Sequence, residues 1–135
     1  MSFTAMGDGV NLAARLESLG KQYGVHILVS ATVAREARAT FWFRRLDRVA
    51  VKGKHEGVEI FELLGRRVAG CPPPPIVAPY EQGLTAYVAG EFASALTLLA
   101  GLPDDPPSQV LAARCRAFLT NPPPDWNGVF VASTK

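Results

Sequence analysis

A pair of β-strands is encoded in residues 41–64, which read FWFRRLDRVAVKGKHEGVEIFELL. Aromatic and β-branched side chains favour strands, and they dominate both FWFRRLDRVAVKG and VEIFELL. The first strand is expected to be irregular from Arg45 to Asp47, where the alternation of polar and apolar side chains slips. Residues 52–57 predict a tight connection between the strands, and the second strand is expected to stop at Gly65.

Upstream of this pair, a helix is predicted from Val10 to Tyr23, with Asp8 as a candidate cap and Gly24 as the stop. Leu12, Leu16, Leu19 and Tyr23 form one apolar stripe on it. A short strand is predicted at residues 25–29 and a second helix at 31–39, capped by Ser30. The order helix-strand-helix-strand-strand predicts an α+β fold. We expect further strands to come from upstream sequence, because this set is small for a covered sheet.

Proline and charge divide the chain near Cys71. All eleven prolines lie between Pro72 and Pro124, and residues 1–71 carry a net charge of +4 against −2 for the remainder. The CPPPP stretch must be extended and stiff, because each proline fixes φ and restricts the residue before it. We therefore predict an α+β segment at 1–65, a proline-rich linker at 66–79 and a helical segment at 80–135.

The helical segment shows apolar side chains at helical spacing that are interrupted by Gly90, which predicts a hairpin of two short helices. A further helix is predicted from Ser108, after a proline-containing turn, to the break at Asn121. The aromatic side chains of this segment are expected to be packing residues.

Composition excludes several classes of protein. The chain has 135 residues, of which 48% are hydrophobic and 19% charged, so it is too apolar for a disordered protein. Its most apolar stretch, residues 92–102, is too short to span a bilayer, and the N-terminus does not read as a secretory signal. The two cysteines form neither a disulfide framework nor a zinc motif. A net charge of +2 gives little support for nucleic-acid binding. The expected location is the cytoplasm.

Several motifs at matching spacing give residues 1–65 a family resemblance. They are Phe3-Thr4-Ala5-Met6-Gly7-Asp8-Gly9-Val10-Asn11-Leu12-Ala13-Ala14-Arg15-Leu16-Glu17, Ile27-Leu28-Val29-Ser30, Leu46-Asp47-Arg48, Val51-Lys52-Gly53-Lys54 and Ile60-Phe61-Glu62-Leu63-Leu64-Gly65. Together they resemble the C-terminal half of a bacterial class III adenylate/guanylate cyclase catalytic domain. The resemblance implies part of a ferredoxin-like α/β fold that acts as a dimer, with active sites across the subunit interface. Full-length relatives are often anchored in the membrane upstream of this domain.

The resemblance also implies roles for individual residues. Cyclisation of ATP is an in-line attack of the 3′-hydroxyl on the α-phosphorus, with pyrophosphate leaving, so catalysis needs positioning and charge stabilisation. Asn11 would position the ribose and Arg15 would stabilise the α-phosphate. Lys52 would contact the terminal phosphates, with Lys54 as a neighbour or substitute, and Thr4 occupies the place of the residue that reads the purine. ATP is favoured over GTP as the substrate, because bacterial relatives that carry these motifs are mostly adenylate cyclases.

These residues also have plain structural interpretations. Asn11 and Arg15 could be the polar face of an amphipathic helix. Lys52 and Lys54 could be solvated charges at a hairpin turn that discourage strand pairing. Their joint occurrence with the flanking motifs favours the catalytic interpretation.

The family's two metal-binding aspartates belong to the half of the domain that precedes these motifs. Asp8 and Asp47 do not match them in the pattern, so Mg²⁺ or Mn²⁺ is expected in the complete family site but not on this chain alone. Without a two-metal site the chemistry loses charge stabilisation. We therefore expect this chain to be inactive alone and to need a homodimer or a partner cyclase half.

The helical segment resembles a single tetratricopeptide-type repeat through Gly83-Leu84, Ala86-Tyr87, Gly90, Phe92 and Ala95. A lone repeat cannot cover its apolar face and should pack on a neighbour. Two alternatives to a cyclase half-site therefore stay open. The chain could be a noncatalytic regulatory or dimerising module, or an adaptor that binds a protein partner through the helical tail.

Overall fold

A computed structural model describes residues 16–51 and 57–132. The elements within these ranges are, in chain order, α1 (16–23), β1 (Leu28–Ser30), α2 (Ala31–Ala37), β2 (Phe41–Val51), β3 (Val58–Arg66), α3 (Val77–Val88), α4 (Phe92–Ala100), α5 (Pro106–Thr120) and β4 (Phe130–Ala132). The predicted α+β class is confirmed, and the first five elements follow the predicted order.

The four strands form one mixed sheet in the order β1-β3-β2-β4. Strand β3 pairs antiparallel with both β1 and β2, and Val29 lies opposite Phe61 in the first of these ladders. The β2–β3 register shifts twice, between Trp42 and Phe43 and between Arg45 and Asp47. The second shift is the predicted irregularity. It places both Leu46 and Asp47, which are neighbours in sequence, in the interior.

Strand β4 has no counterpart among the predicted elements. It pairs in parallel with β2, so that Val49 lies opposite Phe130 and Val51 lies opposite Ala132. The strand is only three residues long and follows a proline-rich stretch, so its sequence cannot be distinguished from that of a loop. The far end of the helical segment is thus hydrogen-bonded to the sheet built by the first segment.

Local signals set most helix boundaries. Ser30 caps α2 by accepting a hydrogen bond from the Val33 amide, as predicted. Helix α5 begins at Pro106, two residues before the predicted start, because Asp105 is its cap and accepts from the Ser108 amide. Gly90 separates α3 from α4 with a φ of 84°, a conformation that glycine adopts without strain.

Helix α3 begins at Val77, within the predicted linker. The division into 1–65, 66–79 and 80–135 stays a prediction.

The buried core contains side chains from both of the predicted segments. The sheet and α1 contribute Leu19, Tyr23, Leu46 and Ile60, and the three later helices contribute Tyr80, Leu84, Leu99 and Leu111. Tyr80 donates its hydroxyl hydrogen to the Leu46 carbonyl oxygen at 2.6 Å, deep between α3 and β2. The apolar face of the helices is therefore covered by the sheet and by neighbouring helices of the same chain.

Four aromatic rings close the other end of the helical segment. Tyr87, Phe92, Phe118 and Trp126 lie with ring centroids 5.1–6.3 Å apart. Most of these pairs are tilted or edge-to-face, the arrangements that aromatic quadrupoles favour. These four aromatic side chains are thus packed against one another, and the resemblance to a tetratricopeptide repeat stays a prediction.

Candidate functional site

All five residues predicted for the site lie outside the described residues. Thr4, Asn11 and Arg15 precede residue 16, and Lys52 and Lys54 fall in the gap from 52 to 56. Their roles and mutual distances stay predictions. What the structure does describe is the set of elements on either side of them, namely α1 and the two strands β2 and β3.

The described part of α1 begins at Leu16, which follows Arg15 in the sequence. Its side chains Leu19 and Tyr23 are 6% and 1% exposed, and Leu16 packs against the same core. These three residues belong to the predicted apolar stripe, and that part of the prediction is confirmed. The helix therefore has a firmly buried face that fixes its rotation about its own axis.

The strands that flank residues 52–56 carry a surface ion-pair group. Glu59 of β3 accepts from Arg45 at 3.2 Å and lies 3.7 Å from the Arg48 guanidinium. The Arg45 amide also donates to the Glu81 carboxylate of α3 at 2.9 Å. The Arg45 and Glu59 side chains are about one-third exposed and Arg48 is more so, so these ion pairs add little stability. The hydrogen bond from the Arg45 amide to Glu81 joins β2 to α3.

A buried polar network joins α1, β2, α3 and α5. The Asp47 carboxylate accepts hydrogen bonds from the Tyr23 hydroxyl, from the Arg114 guanidinium at 2.7 Å and from the Arg48 amide at 2.7 Å. Arg114 also donates to the Tyr87 hydroxyl at 3.0 Å. Burial raises the pKa of the Tyr23 and Tyr87 hydroxyls, so both tyrosines act as neutral hydrogen-bonding groups at ordinary pH.

Asp47 does not suit a metal ion. Burial raises the pKa of its carboxyl while Arg114 and the Tyr23 hydroxyl act in the opposite direction, and its oxygens already face three donors. Within 16–51 and 57–132 no cluster of three His, Cys, Asp or Glu side chains could hold a metal. Asp47 therefore has a structural role within the described part of the chain.

A second buried ion pair holds α5 to the sheet. Arg44 of β2, whose side chain is 3% exposed, donates two hydrogen bonds of 2.8 Å to the two Asp105 oxygens and a third to Glu62. Burial disfavours the charged guanidinium, but these carboxylates outweigh it and raise the pKa of Arg44. The Arg44 guanidinium also lies 4.7 Å from the centroid of the Tyr80 ring.

Neither the Asp47–Arg114 network nor the Arg44–Asp105 ion pair was predicted from the sequence. Arg114 is 67 residues from Asp47, and Arg44 is 61 residues from Asp105, so no local spacing connects them. The one available signal was the slipped alternation at Arg45 to Asp47, because a β-bulge is a place where a polar side chain can be turned inward.

A shallow groove of about 450 Å³ lies between α2, the sheet and the start of α3. Arg35, Arg38 and Arg67 line it together with aromatic side chains of β2 and β3. The Arg67 guanidinium lies 3.8 Å from the Trp42 ring centroid, a cation–π contact. Glu59 and Glu81 also line the groove, so it carries charges of both signs beside its aromatic rings, and none of the predicted site residues is among its described lining.

Comparison with known proteins identifies the class of the first segment. Residues 1–65 match the family model of the adenylate and guanylate cyclase catalytic domain. This part of the chain is cyclase catalytic-domain sequence, as the motifs predicted.

Three adenylate cyclases are similar to the chain. Adenylate cyclase 1 of Rhizobium meliloti is 38% identical over 65 residues and adenylate cyclase of Anabaena cylindrica 44% over 63, covering 48% and 44% of this chain. The terminal-differentiation specific adenylate cyclase of Dictyostelium discoideum is 34% identical over 128 residues, or 85% of this chain, so that match continues past residue 65. The chain spans 10%, 12% and 6% of the lengths of these three relatives.

No solved structure shows a significant match to the chain. None of the helices in the described ranges is both long and apolar enough to cross a membrane.

Proposed function

We propose that this chain supplies one half of an adenylate cyclase active site, in which ATP is converted to cyclic AMP and pyrophosphate. The observation that carries the proposal is the family match over residues 1–65, which contains all five predicted site residues. The three similar proteins are each named as adenylate cyclases, which supports ATP as the substrate.

The proposed division of labour follows the chemistry. Asn11 orients the ribose so that its 3′-hydroxyl faces the α-phosphorus, and Arg15 stabilises the negative charge that develops on the α-phosphate oxygens. Lys52 neutralises the terminal phosphates with Lys54 beside it, and Thr4 contacts the purine. A second polypeptide or an upstream half-domain supplies the carboxylates that bind Mg²⁺ or Mn²⁺.

The described structure supports this proposal through the elements that flank the site. Helix α1 is held by buried Leu19 and Tyr23, and the β2–β3 pair that leads into residues 52–56 is the longest ladder of the sheet. Rigid supporting elements are what a site of positioned donors requires, because small displacements of a catalytic group cost large factors in rate.

A complementation assay tests the proposal. The partner is a separate cyclase domain that contains the metal-binding aspartates and has alanine at the positions equivalent to Asn11 and Arg15. We expect no cyclic AMP from either protein alone with ATP and Mn²⁺, and cyclic AMP from the mixture. The matched control is the Asn11→Ala/Arg15→Ala variant of this chain, which should give none with the same partner.

Two outcomes would contradict the proposal. Equal cyclic AMP from the wild-type and the Asn11→Ala/Arg15→Ala mixtures would show that the chain contributes no catalytic group. A complex that forms without any cyclic AMP would favour the regulatory or dimerising module instead.

A further inference from the structure

We propose that Arg114 of α5 is a positioning residue for the cyclase half-site, because through Asp47 and Tyr23 it fixes α1, the described end of the predicted helix that contains Asn11 and Arg15. This inference rests on the proposed function for its catalytic consequence. It gives the helical tail a role in positioning the site residues, which is distinct from the adaptor role that the sequence left open.

Tyr23 anchors the end of α1. Tyr23 is the last residue of α1 and is 1% exposed, and its hydroxyl donates to the Asp47 carboxylate. The same Asp47 oxygen also accepts from Arg114, and the other carboxylate oxygen accepts from the Arg48 amide. The end of α1 is therefore tied to an acceptor whose own position depends on a side chain from the tail.

The Arg114 side chain is mostly buried and is only 11% exposed. Its charge faces Asp47, the Tyr23 and Tyr87 hydroxyls lie beside it, and its central carbon lies 3.5 Å from the Phe130 ring centroid. Arg114 thus collects contacts from α1, β2, α3 and β4 at one point. Removing it would leave the Asp47 carboxylate buried without its counter-charge, which is strongly unfavourable.

A separate contact joins the same two helices. Gly24 follows α1 with a φ of 73°, and a Cβ atom at this residue would lie 2.7 Å from the Pro106 Cβ at the start of α5. The backbone at the end of α1 therefore lies directly against the first residue of α5. Two independent contacts, one polar and one steric, couple the position of α1 to the tail.

The catalytic consequence follows from the continuity of the chain. Arg15 immediately precedes the described part of α1, and Asn11 is four residues before it on the predicted helix. If α1 shifts or frays at Tyr23, Asn11 and Arg15 would be displaced. These groups act only when they are correctly placed in the transition state. Such a loss should lower kcat and leave the KM for ATP nearly unchanged.

Hydrogen exchange on the full chain tests the coupling without any requirement for activity. We expect Arg114→Met and Tyr23→Phe to accelerate exchange of the α1 amides at least tenfold, while the β3 amides change less than twofold. Arg114→Lys, which keeps the charge, should restore part of the protection. The matched control is Arg116→Met, because Arg116 is an exposed arginine on the same helix.

If Arg114→Met alone fails to fold, the Asp47→Asn/Arg114→Met variant replaces it, since removing both charges avoids a buried unpaired carboxylate. Unchanged α1 exchange in Tyr23→Phe and in the Arg114 variant would overturn the inference. Equal acceleration of the α1 and β3 amides would also overturn it, because that pattern describes general destabilisation.

The complementation assay then measures the catalytic consequence. With the same partner domain, Arg114→Met should lower kcat at least tenfold at an unchanged KM for ATP, and Arg116→Met should match the wild type. A wild-type mixture without cyclic AMP would refute the proposed function, and hydrogen exchange would still decide the coupling. An active mixture that is insensitive to the Arg114 variant would refute only the positioning role.

Discussion

Arg44 and Asp105 are joined by two parallel hydrogen bonds of 2.8 Å, one to each carboxylate oxygen. Arg44 belongs to β2, and Asp105 is the residue that caps α5, where its carboxylate also accepts from the Ser108 amide and hydroxyl. One carboxylate therefore serves as a buried ion-pair partner and as a helix cap. Such bidentate geometry is among the stronger polar contacts in proteins.

This relationship predicts a pH-dependent stability. Burial alone would raise the pKa of Asp105, but the hydrogen bonds and charge of Arg44, together with Ser108, lower it below its ordinary value. The native state therefore binds this proton less tightly than the unfolded state does. The stabilisation is complete above the unfolded pKa of about 3.9 and is lost as pH falls through the lower folded pKa.

The Asp105→Asn variant should therefore be less stable than the wild type by about 2 kcal/mol at pH 7. The difference should shrink as the pH is lowered below about 4, as followed by urea unfolding with circular dichroism. Asp104→Asn is the control, because the neighbouring Asp104 is exposed. Parallel pH profiles for Asp105→Asn and the wild type would contradict the prediction.

The two cysteines should differ strongly in reactivity. Cys71 is exposed, while Cys115 of α5 is buried, and burial raises the pKa of the Cys115 thiol to about 11. Since the thiolate is the nucleophile, Cys115 should be inert at pH 8. We expect a disulfide exchange reagent to label one thiol per native chain and two in denaturant. Loss of all native labelling in Cys71→Ser would assign the reactive thiol, whereas fast labelling of that variant would show that Cys115 is accessible.

The strand pair, the two helices that precede it and the cyclase motifs were predictable because their signals are local. Residue type and spacing within residues 10–65 predict those elements without any knowledge of what packs on them. Strand β4 and the partner of Asp47 were not predictable in this way, because each depends on residues more than 60 positions away. The break in the alternation of polar and apolar side chains at Arg45 to Asp47 predicted an irregular strand. It did not indicate that Arg114 would be the partner of Asp47.

Gly83 shows why helix propensity alone misleads. Replacing a glycine within a helix by alanine ordinarily stabilises it by about 1 kcal/mol. Here a Cβ atom on Gly83 would lie 2.8 Å from both Cγ and Cδ2 of Leu99, which is 1% exposed in the α3–α4 interface. The interface would have to separate, so Gly83→Ala should instead destabilise the protein by about 1–3 kcal/mol.

Thermal unfolding of Gly83→Ala against Gly101→Ala checks this prediction. Gly101 ends α4 with a φ of −74°, and a Cβ atom there would meet its nearest neighbour, the Leu98 carbonyl oxygen, at 3.4 Å. Gly101→Ala should therefore stay within about 0.5 kcal/mol of the wild type. A higher melting temperature for Gly83→Ala would mean that α3 and α4 are not packed as closely as the structure describes.

Trp126 fastens the end of the tail to α3 in two separable ways. Its indole Nε1 donates to the Tyr87 and Val88 carbonyl oxygens at 3.1 Å each, and its ring packs against Tyr87, Phe92 and Phe118. Trp126→Phe keeps an aromatic ring and removes the donor, so it should cost about 1 kcal/mol. Trp126→Ala removes both contributions and should cost about 3 kcal/mol.

Urea unfolding followed by circular dichroism measures the stability of both Trp126 variants, with Leu119→Ala on the exposed face of α5 as the control. Equal losses in the two Trp126 variants would show that the hydrogen bonds, and not the aromatic packing, hold the tail in place.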